Sequence, residues 1–286
     1  MFKLYREAFK IVNDGIILAV PLALFWWIVS LYVNFSVESI DTLPKIILTI
    51  VTIVFMFSTF SAGWFYMVKK AIKFSKKTFI MDKDKSSESL RLIRAIPRGI
   101  GHFFLYFVEA SALFVALGLL LSFLIKITTS PFVTEINNVL SHFDISVSSS
   151  EEMGAILETF SSDLIMALAG QILLPSIKLL LTIGLVTVVF SFLLLLWMPE
   201  IIYTRKNASI ALFTSIKKVL VKFWKSLKLY AYILLIQFIL SCLGFIFLFN
   251  PITYMISMVI YFYFIVYVVV LIFSYYDSEF TKAKSK

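Results

Sequence analysis

Glu109 is the residue whose type and position first ask for an explanation. It stands in an apolar run whose hydrocarbon part starts near Phe103, about six residues earlier, or roughly 9 Å along a helix. A carboxylate at that depth is costly if it is charged and faces lipid, so it must be protonated, paired or turned toward other helices. Its helical face also carries Ala112 and Ala116, small residues that admit a neighbouring helix. The expected orientation is inward, with the hydroxyls of Ser191 or Thr187 as partners at similar depth, whereas Lys178 lies near the opposite end of its run. With Gln171 and Gln237, Glu109 makes up a candidate intramembrane polar site, suited to passing a proton, a cation or a polar solute.

The other reactive residue types point to less. His102 falls at an interface, where a polar-tipped ring is comfortable, and His142 lies near Asp144 and Glu135 in an acidic segment where a surface position accounts for it better than a weak metal site. Glu151 and Glu152 start an exposed helix, where acids favour the N-terminal dipole. Cys242 is the one cysteine and sits in an apolar run, so it is expected to be a small buried hydrophobe. Lys126 and Lys178, near the outer ends of their runs, are expected to snorkel to the interface. No HExxH, GxSxG or P-loop pattern is present. The expectation is no catalytic residue, no cofactor, no metal site and no enzyme activity.

What must position these residues is a set of membrane helices. Of 286 residues, 60% are hydrophobic and 30 are Phe, and they come in uninterrupted runs. Runs of about 18–25 apolar residues are the length of a membrane span. The spacing predicts an all-α, polytopic integral membrane protein of six transmembrane helices: 16–33, 46–68, 100–127, 172–198, 229–249 and 252–273. Trp26 and Trp27 lie too deep for an aromatic belt and are expected to pack between helices. In the second span Ser58, Thr59, Ser61, Ala62 and Gly63 form a small-residue patch for close helix approach.

The single membrane domain, 1–286, reads as three repeats of an in-plane amphipathic helix plus a transmembrane hairpin: residues 2–80, 86–198 and 207–276. The first in-plane segment sets Phe2, Tyr5, Phe9 and Val12 against Lys3, Arg6 and Lys10. The second sets Leu90, Ile93 and Ile96 against Arg91, Arg94 and Arg98, with Pro97 marking its end. The third, Asn207–Lys228, sets Phe213, Ile216, Leu220, Phe223, Trp224 and Leu227 against Lys218, Lys222 and Lys225. The second unit contains an outer insertion, 128–162, predicted as two amphipathic helices. The first starts at Pro131 and carries Phe132, Ile136, Val139, Leu140 and Phe143; the second, after a serine-rich turn at 146–150, carries Ile156, Leu157, Phe160 and Leu164.

The net charge of +9 invites a nucleic-acid reading, which its distribution removes. All Lys and Arg except Lys45, Lys126 and Lys178 fall on one side of the predicted spans, the positive-inside pattern. Both termini, residues 69–99 and residues 199–228 are therefore expected in the cytoplasm, in a bacterial inner membrane, and 128–162 outside. The basic residues of the in-plane helices, Lys3, Arg6, Lys10, Arg91, Arg94, Arg98, Lys218, Lys222 and Lys225, are candidate contacts to anionic headgroups, each worth about 1 kcal/mol.

Pro199-Glu200-Ile201-Ile202, followed by Ala208-Ser209-Ile210-Ala211-Leu212 and Ser215 ahead of a span, resembles the membrane domain attached to some bacterial glycerophosphoryl diester phosphodiesterases and a wider set of six-span bacterial membrane proteins. The resemblance covers 193–240 best and the rest as a layout. It implies a helical membrane bundle and supplies no catalytic residue. The phosphodiesterase itself would need a soluble domain with catalytic His and acidic residues, which no segment of this chain could house.

The expected function is that of a non-enzymatic scaffold or accessory protein, interacting with lipid and with a membrane or cytoplasmic protein partner. The alternative is a small transporter or lipid translocator using the polar path around Glu109. Transporter cores carry more intramembrane charge and more glycine-broken helices than this chain, with its nine glycines.

Overall fold

The structure, a computed structural model, describes residues 1–37, 42–75, 91–142, 162–247 and 251–281. Among them there is no strand. The helices are α1 (Phe2–Asp14), α2 (Ala19–Val37), α3 (Leu43–Ser75), α4 (Ala95–His142), α5 (Ser162–Leu194), α6 (Trp197–Thr204), α7 (Ala208–Val221), α8 (Phe223–Phe247) and α9 (Pro251–Tyr276). A single 3₁₀ turn, Ile16–Leu18, links α1 to α2, and a π-helical turn, Asp277–Thr281, ends the described chain. Six helical stretches are long and apolar enough to cross a membrane: Ala19–Ser36, Leu43–Ser75, Arg91–Val139, Gly170–Thr204, Phe223–Phe247 and Met255–Thr281. The described residues are helical almost throughout, and the six apolar stretches make the chain a multi-pass membrane protein.

It divides into two compact units, and the boundaries fall inside the second predicted repeat. The first unit comprises Met1–Phe114 and Leu193–Lys286, and the second Val115–Phe192. In the first, α9 is the central helix, packed by α1, α2, α3, α6 and α8. It buries Val266, Tyr267, Val270, Leu271, Phe273, Tyr275 and Tyr276. Aromatic rings tie the surrounding helices to it. Phe25 of α2 stacks on Phe60 of α3 at 4.0 Å between centroids, and Phe65 of α3 stacks on both Phe107 of α4 and Phe273 of α9. Such ring pairs add about 0.5–1.5 kcal/mol each beyond their buried area.

The small-residue patch of α3 is where α4 comes closest. A Cβ added to Gly99 would lie 2.7 Å from the Ala62 carbonyl oxygen and from Tyr66 Cβ, and one added to Gly63 would lie 2.7 Å from Ile96 Cγ2. Only backbone fits there. Further along the same pair of helices, Ser58 Oγ meets Ser111 Oγ at 3.0 Å and donates to the Phe107 carbonyl.

The second unit contains the later part of α4 and most of α5. Pro131 does not begin a new helix as expected; it sits inside α4, which runs on to His142. Proline leaves the Ile127 carbonyl without its backbone hydrogen bond there, a loss that a long apolar helix tolerates. Thr128 and Thr129, just before it, donate to the carbonyls of Leu124 and Ile125. The serine-rich turn, Phe143, Asp144, Glu151, Glu152, Ile156, Leu157 and Phe160 lie outside the described residues, as do the side chains of Leu140, His142 and Leu164.

Other expectations change in detail. The break before the third span falls at Arg94 and not at Pro97, which occupies the first turn of α4, where its missing N–H has no partner to lose. The run Asn207–Lys228 is two helices: Lys222 caps α7, and α8 starts at Phe223. Trp26 and Trp27 are exposed, as is Cys242. In a bilayer the outside of a bundle is itself apolar, so large side chains such as Trp26 and Trp27 lose little by facing out.

Candidate functional site

The polar side chains that the fold brings together lie where α6, α7 and α9 meet. Trp197–Thr204 forms a short helix after the α5 span, and Arg205, in the left-handed region at φ 54°, turns the chain into α7. The Trp197 indole N–H donates to the Ala208 carbonyl at 2.9 Å and ties α6 to the start of α7. This places Glu200 against the buried face of α7, which consists of Ala208, Ala211, Leu212, Ser215 and Val219.

Glu200 is wholly buried. Its Oε2 accepts from Lys218 Nζ of α7 at 2.5 Å and from the Tyr276 hydroxyl of α9 at 2.6 Å. Lys218 also donates to the Tyr276 oxygen at 2.6 Å and lies 4.6 Å above the Tyr276 ring. Three helices thus meet in one carboxylate–ammonium–phenol triangle. Glu200 Oε1, by contrast, has no hydrogen-bond partner among the described residues. Removing a carboxylate from water costs several kcal/mol, which only close pairing and hydrogen bonding offset. Glu200 has no exposed surface, and the triangle joins α6, α7 and α9.

A second clamp lies at the end of α9. Glu279 in the π-helical turn takes Lys222 at 2.5 Å and Lys225 at 3.0 Å. Lys69 of α3 donates to the Ile202 carbonyl at 2.7 Å and covers the Tyr203 ring at 4.7 Å.

Glu109 turns inward, and its partners are backbone donors. Oε2 accepts the Ala208 N–H at 3.0 Å, and Oε1 accepts the Ser209 N–H at 3.1 Å and the Ser209 hydroxyl at 2.8 Å. These are first-turn groups of α7, whose own N-cap residue, Asn207, makes no side-chain cap. A helix N-terminus leaves four N–H groups unbonded and carries a partial positive charge. The carboxylate of another helix supplies what Asn207 does not. Both carboxylate oxygens accept, and each of these partners donates. Ser191, expected beside it, donates to the Thr187 carbonyl of its own helix.

The remaining candidates each have their own surroundings. Gln237 points outward from α8, and Gln171 is exposed on α5 in the other unit. Lys3, Arg6 and Lys10 are exposed along α1, whose buried residues are Ala8, Ile11 and Val12, while Phe2 and Phe9 of the expected apolar face point outward. Arg91, Arg94 and Arg98 line a cavity of about 300 Å³. Lys218, Lys222 and Lys225, read as headgroup contacts, are engaged by Glu200 and Glu279. On α7 and the start of α8 it is the large apolar side chains that face out, Phe213 at 72% and Trp224 at 73% exposure.

Sequence reasoning missed Glu200, Tyr276 and Glu279 as a polar centre. The available signal was an acid directly after a proline at the end of a span, amid basic residues. Among the described residues, no three His, Cys, Asp or Glu side chains are placed to share a metal ion. Compared with known proteins, the chain matches no family model, no curated protein and no solved structure.

Proposed function

We propose that this protein is a non-enzymatic membrane scaffold or accessory protein that presents a basic face to an anionic leaflet and an apolar-rimmed surface to lipid or a protein partner. The observation that carries this reading is the role of Glu109. The carboxylate that a transport path would be built around is committed to capping α7 with three hydrogen bonds. Gln171 and Gln237, the other members of that path, are exposed on their helices. The transport alternative loses its central group.

The same reading takes the basic end as cytoplasmic and the membrane as a bacterial inner membrane, on the segregation of Lys and Arg. It retains the likeness to six-span membrane domains such as those attached to glycerophosphoryl diester phosphodiesterases, and the three-repeat layout. Supporting that layout, a short helical stretch and a break precede the first, third and fifth spans: α1 and the 3₁₀ turn, 91–93 and Arg94, α7 and Lys222. The outward apolar residues Phe213, Leu220, Val221 and Trp224 beside lysines suit a helix lying at the interface.

Affinity purification in mild detergent tests the function. A stoichiometric protein partner is expected; a retained small solute without a partner would revive the transport reading. Single-cysteine labelling in a Cys242→Ser background tests orientation. Ser149→Cys should label only from outside, and labelling from the cytoplasmic side alone would invert the scheme.

A further inference from the structure

The large apolar side chains of α7 face away from the protein. Ile210, Phe213, Leu220, Val221 and, at the start of α8, Trp224 are each more than half exposed. The opposite side, with Ala208, Ala211, Ser215 and Ser226, is buried. In water this arrangement would be inverted, because large apolar side chains gain most from burial and small ones little. A contiguous exposed apolar face marks a surface that meets something other than water.

The outward residues form one strip. Ile210, Phe213, Lys217 and Leu220 follow at steps of three and four, the repeat of a single helix face. The steps continue through Trp224, Lys228, Ala231, Leu235 and Phe238, all exposed. Backbone bonds of helical spacing cross the break between the two helices. The Lys222 N–H donates to the Lys218 carbonyl at 3.2 Å, and the Ser226 N–H to the Lys222 carbonyl at 2.9 Å. The strip therefore keeps its register through Lys222 and runs onto the outward side of α8, a stretch long and apolar enough to cross a membrane. The exposed side of a spanning helix meets acyl chains, and the α7 face continues it.

The lysines in the strip decide between lipid and protein as its cover. Lys217 stands between Phe213 and Leu220, and Lys228 follows Trp224 by one turn. Lysine is depleted from protein–protein interfaces. At a bilayer edge its carbon stem lies along the apolar surface while the ammonium reaches the headgroups. Trp224 suits the same level, with an apolar ring and an N–H that favours the wet side.

We infer that the Ile210–Trp224 face of α7 is a lipid-binding surface, placed among the acyl chains of one leaflet as a continuation of the lipid-facing side of α8. The inference deepens the interfacial reading of α7 above and rests on it. It commits this face to phospholipid acyl chains and withdraws it from a protein partner.

The test uses the full chain with Cys242→Ser, reconstituted into vesicles of phosphatidylglycerol and phosphatidylcholine. Nitroxide labels are attached to Phe213→Cys, to Val221→Cys and, as an aqueous reference, to Lys206→Cys in the exposed turn before α7. Collisions with oxygen, which concentrates in lipid, and with a nickel chelate, which stays in water, give the depth of each label. The labels on Phe213→Cys and Val221→Cys should lie about 5–10 Å into the headgroup–acyl boundary, with several-fold fewer nickel collisions than the reference. Val221→Cys serves alone if Phe213→Cys does not fold. Nickel collisions equal to those of the reference place the face in water and overturn the inference. Shielding from nickel and oxygen alike places protein over the face and also overturns it. Labels at lipid depth with no co-purifying partner leave the lipid surface standing and remove the scaffold reading; a stoichiometric partner with nickel-accessible labels does the reverse.

Discussion

The two units of this molecule differ in the carboxylates that tie helices together, which the described residues place in the first. In the first, polar groups reach across helices: Glu109 of α4 to α7, Glu200 of α6 to α7 and α9, Glu279 to α7 and α8, Ser58 of α3 to α4. Hydroxyls fold back on their own helix in both units, Thr52, Thr59 and Thr214 in the first and, among the described residues of the second, Ser122, Thr129, Thr134 and Thr182. A back-bonded hydroxyl satisfies itself and says nothing about a neighbour. A carboxylate in an apolar setting cannot satisfy itself and must find donors elsewhere. Helix pairing in the first unit therefore adds these polar contacts to its ring stacks and its Gly63–Gly99 approach, and the described helices of the second unit are held by backbone bonding in an apolar surround.

The largest test of this contrast is Glu200→Ala. It leaves Lys218 partly buried without its carboxylate, a change that costs about 3–5 kcal/mol for fully buried pairs and lies at the low end here, because Lys218 keeps some exposure. Unfolding in mixed detergent micelles measures it. The Glu200→Gln/Lys218→Met double variant should recover most of the loss; no recovery would mean the triangle is more than a matched pair.

Gly99→Leu comes next. Its side chain would enter space held by the Ala62 carbonyl, Tyr66 Cβ and Gly63, and overpacking of this kind costs about 1–3 kcal/mol. An unaltered unfolding midpoint would show that α3 and α4 are not in backbone contact. Glu109→Ala should cost about 1–2 kcal/mol, the usual loss of an N-cap, and should increase protease cleavage around 205–207. Glu109→Gln should lie between it and wild type, because an amide oxygen still accepts N–H groups but loses the charge that favours a helix N-terminus. Equal stability of all three would contradict the cap.

The smallest effect belongs to the second unit. Thr182→Val removes a hydroxyl bonded only to its own helix and should change stability by less than about 0.5 kcal/mol. A loss above 1 kcal/mol there would erase the contrast between the units.

Six apolar runs, their lengths and the one-sided placement of Lys and Arg are readable from the chain because each is a property of consecutive residues. The apolar run around Glu109 likewise shows that its carboxyl cannot be left facing lipid. What periodicity does not carry is the identity of the partner across a gap. Glu109 lies 99 residues from Ala208, and Glu200 lies 76 from Tyr276. Those distances close only when α4, α6, α7 and α9 are packed. The same holds for which face turns in: α7 carries large apolar residues on one side and Ala208, Ala211 and Ser215 on another, and a water-based rule buries the large ones. With lipid outside, small residues gain close helix contact and large ones lose little by facing out, so tertiary packing reverses that choice.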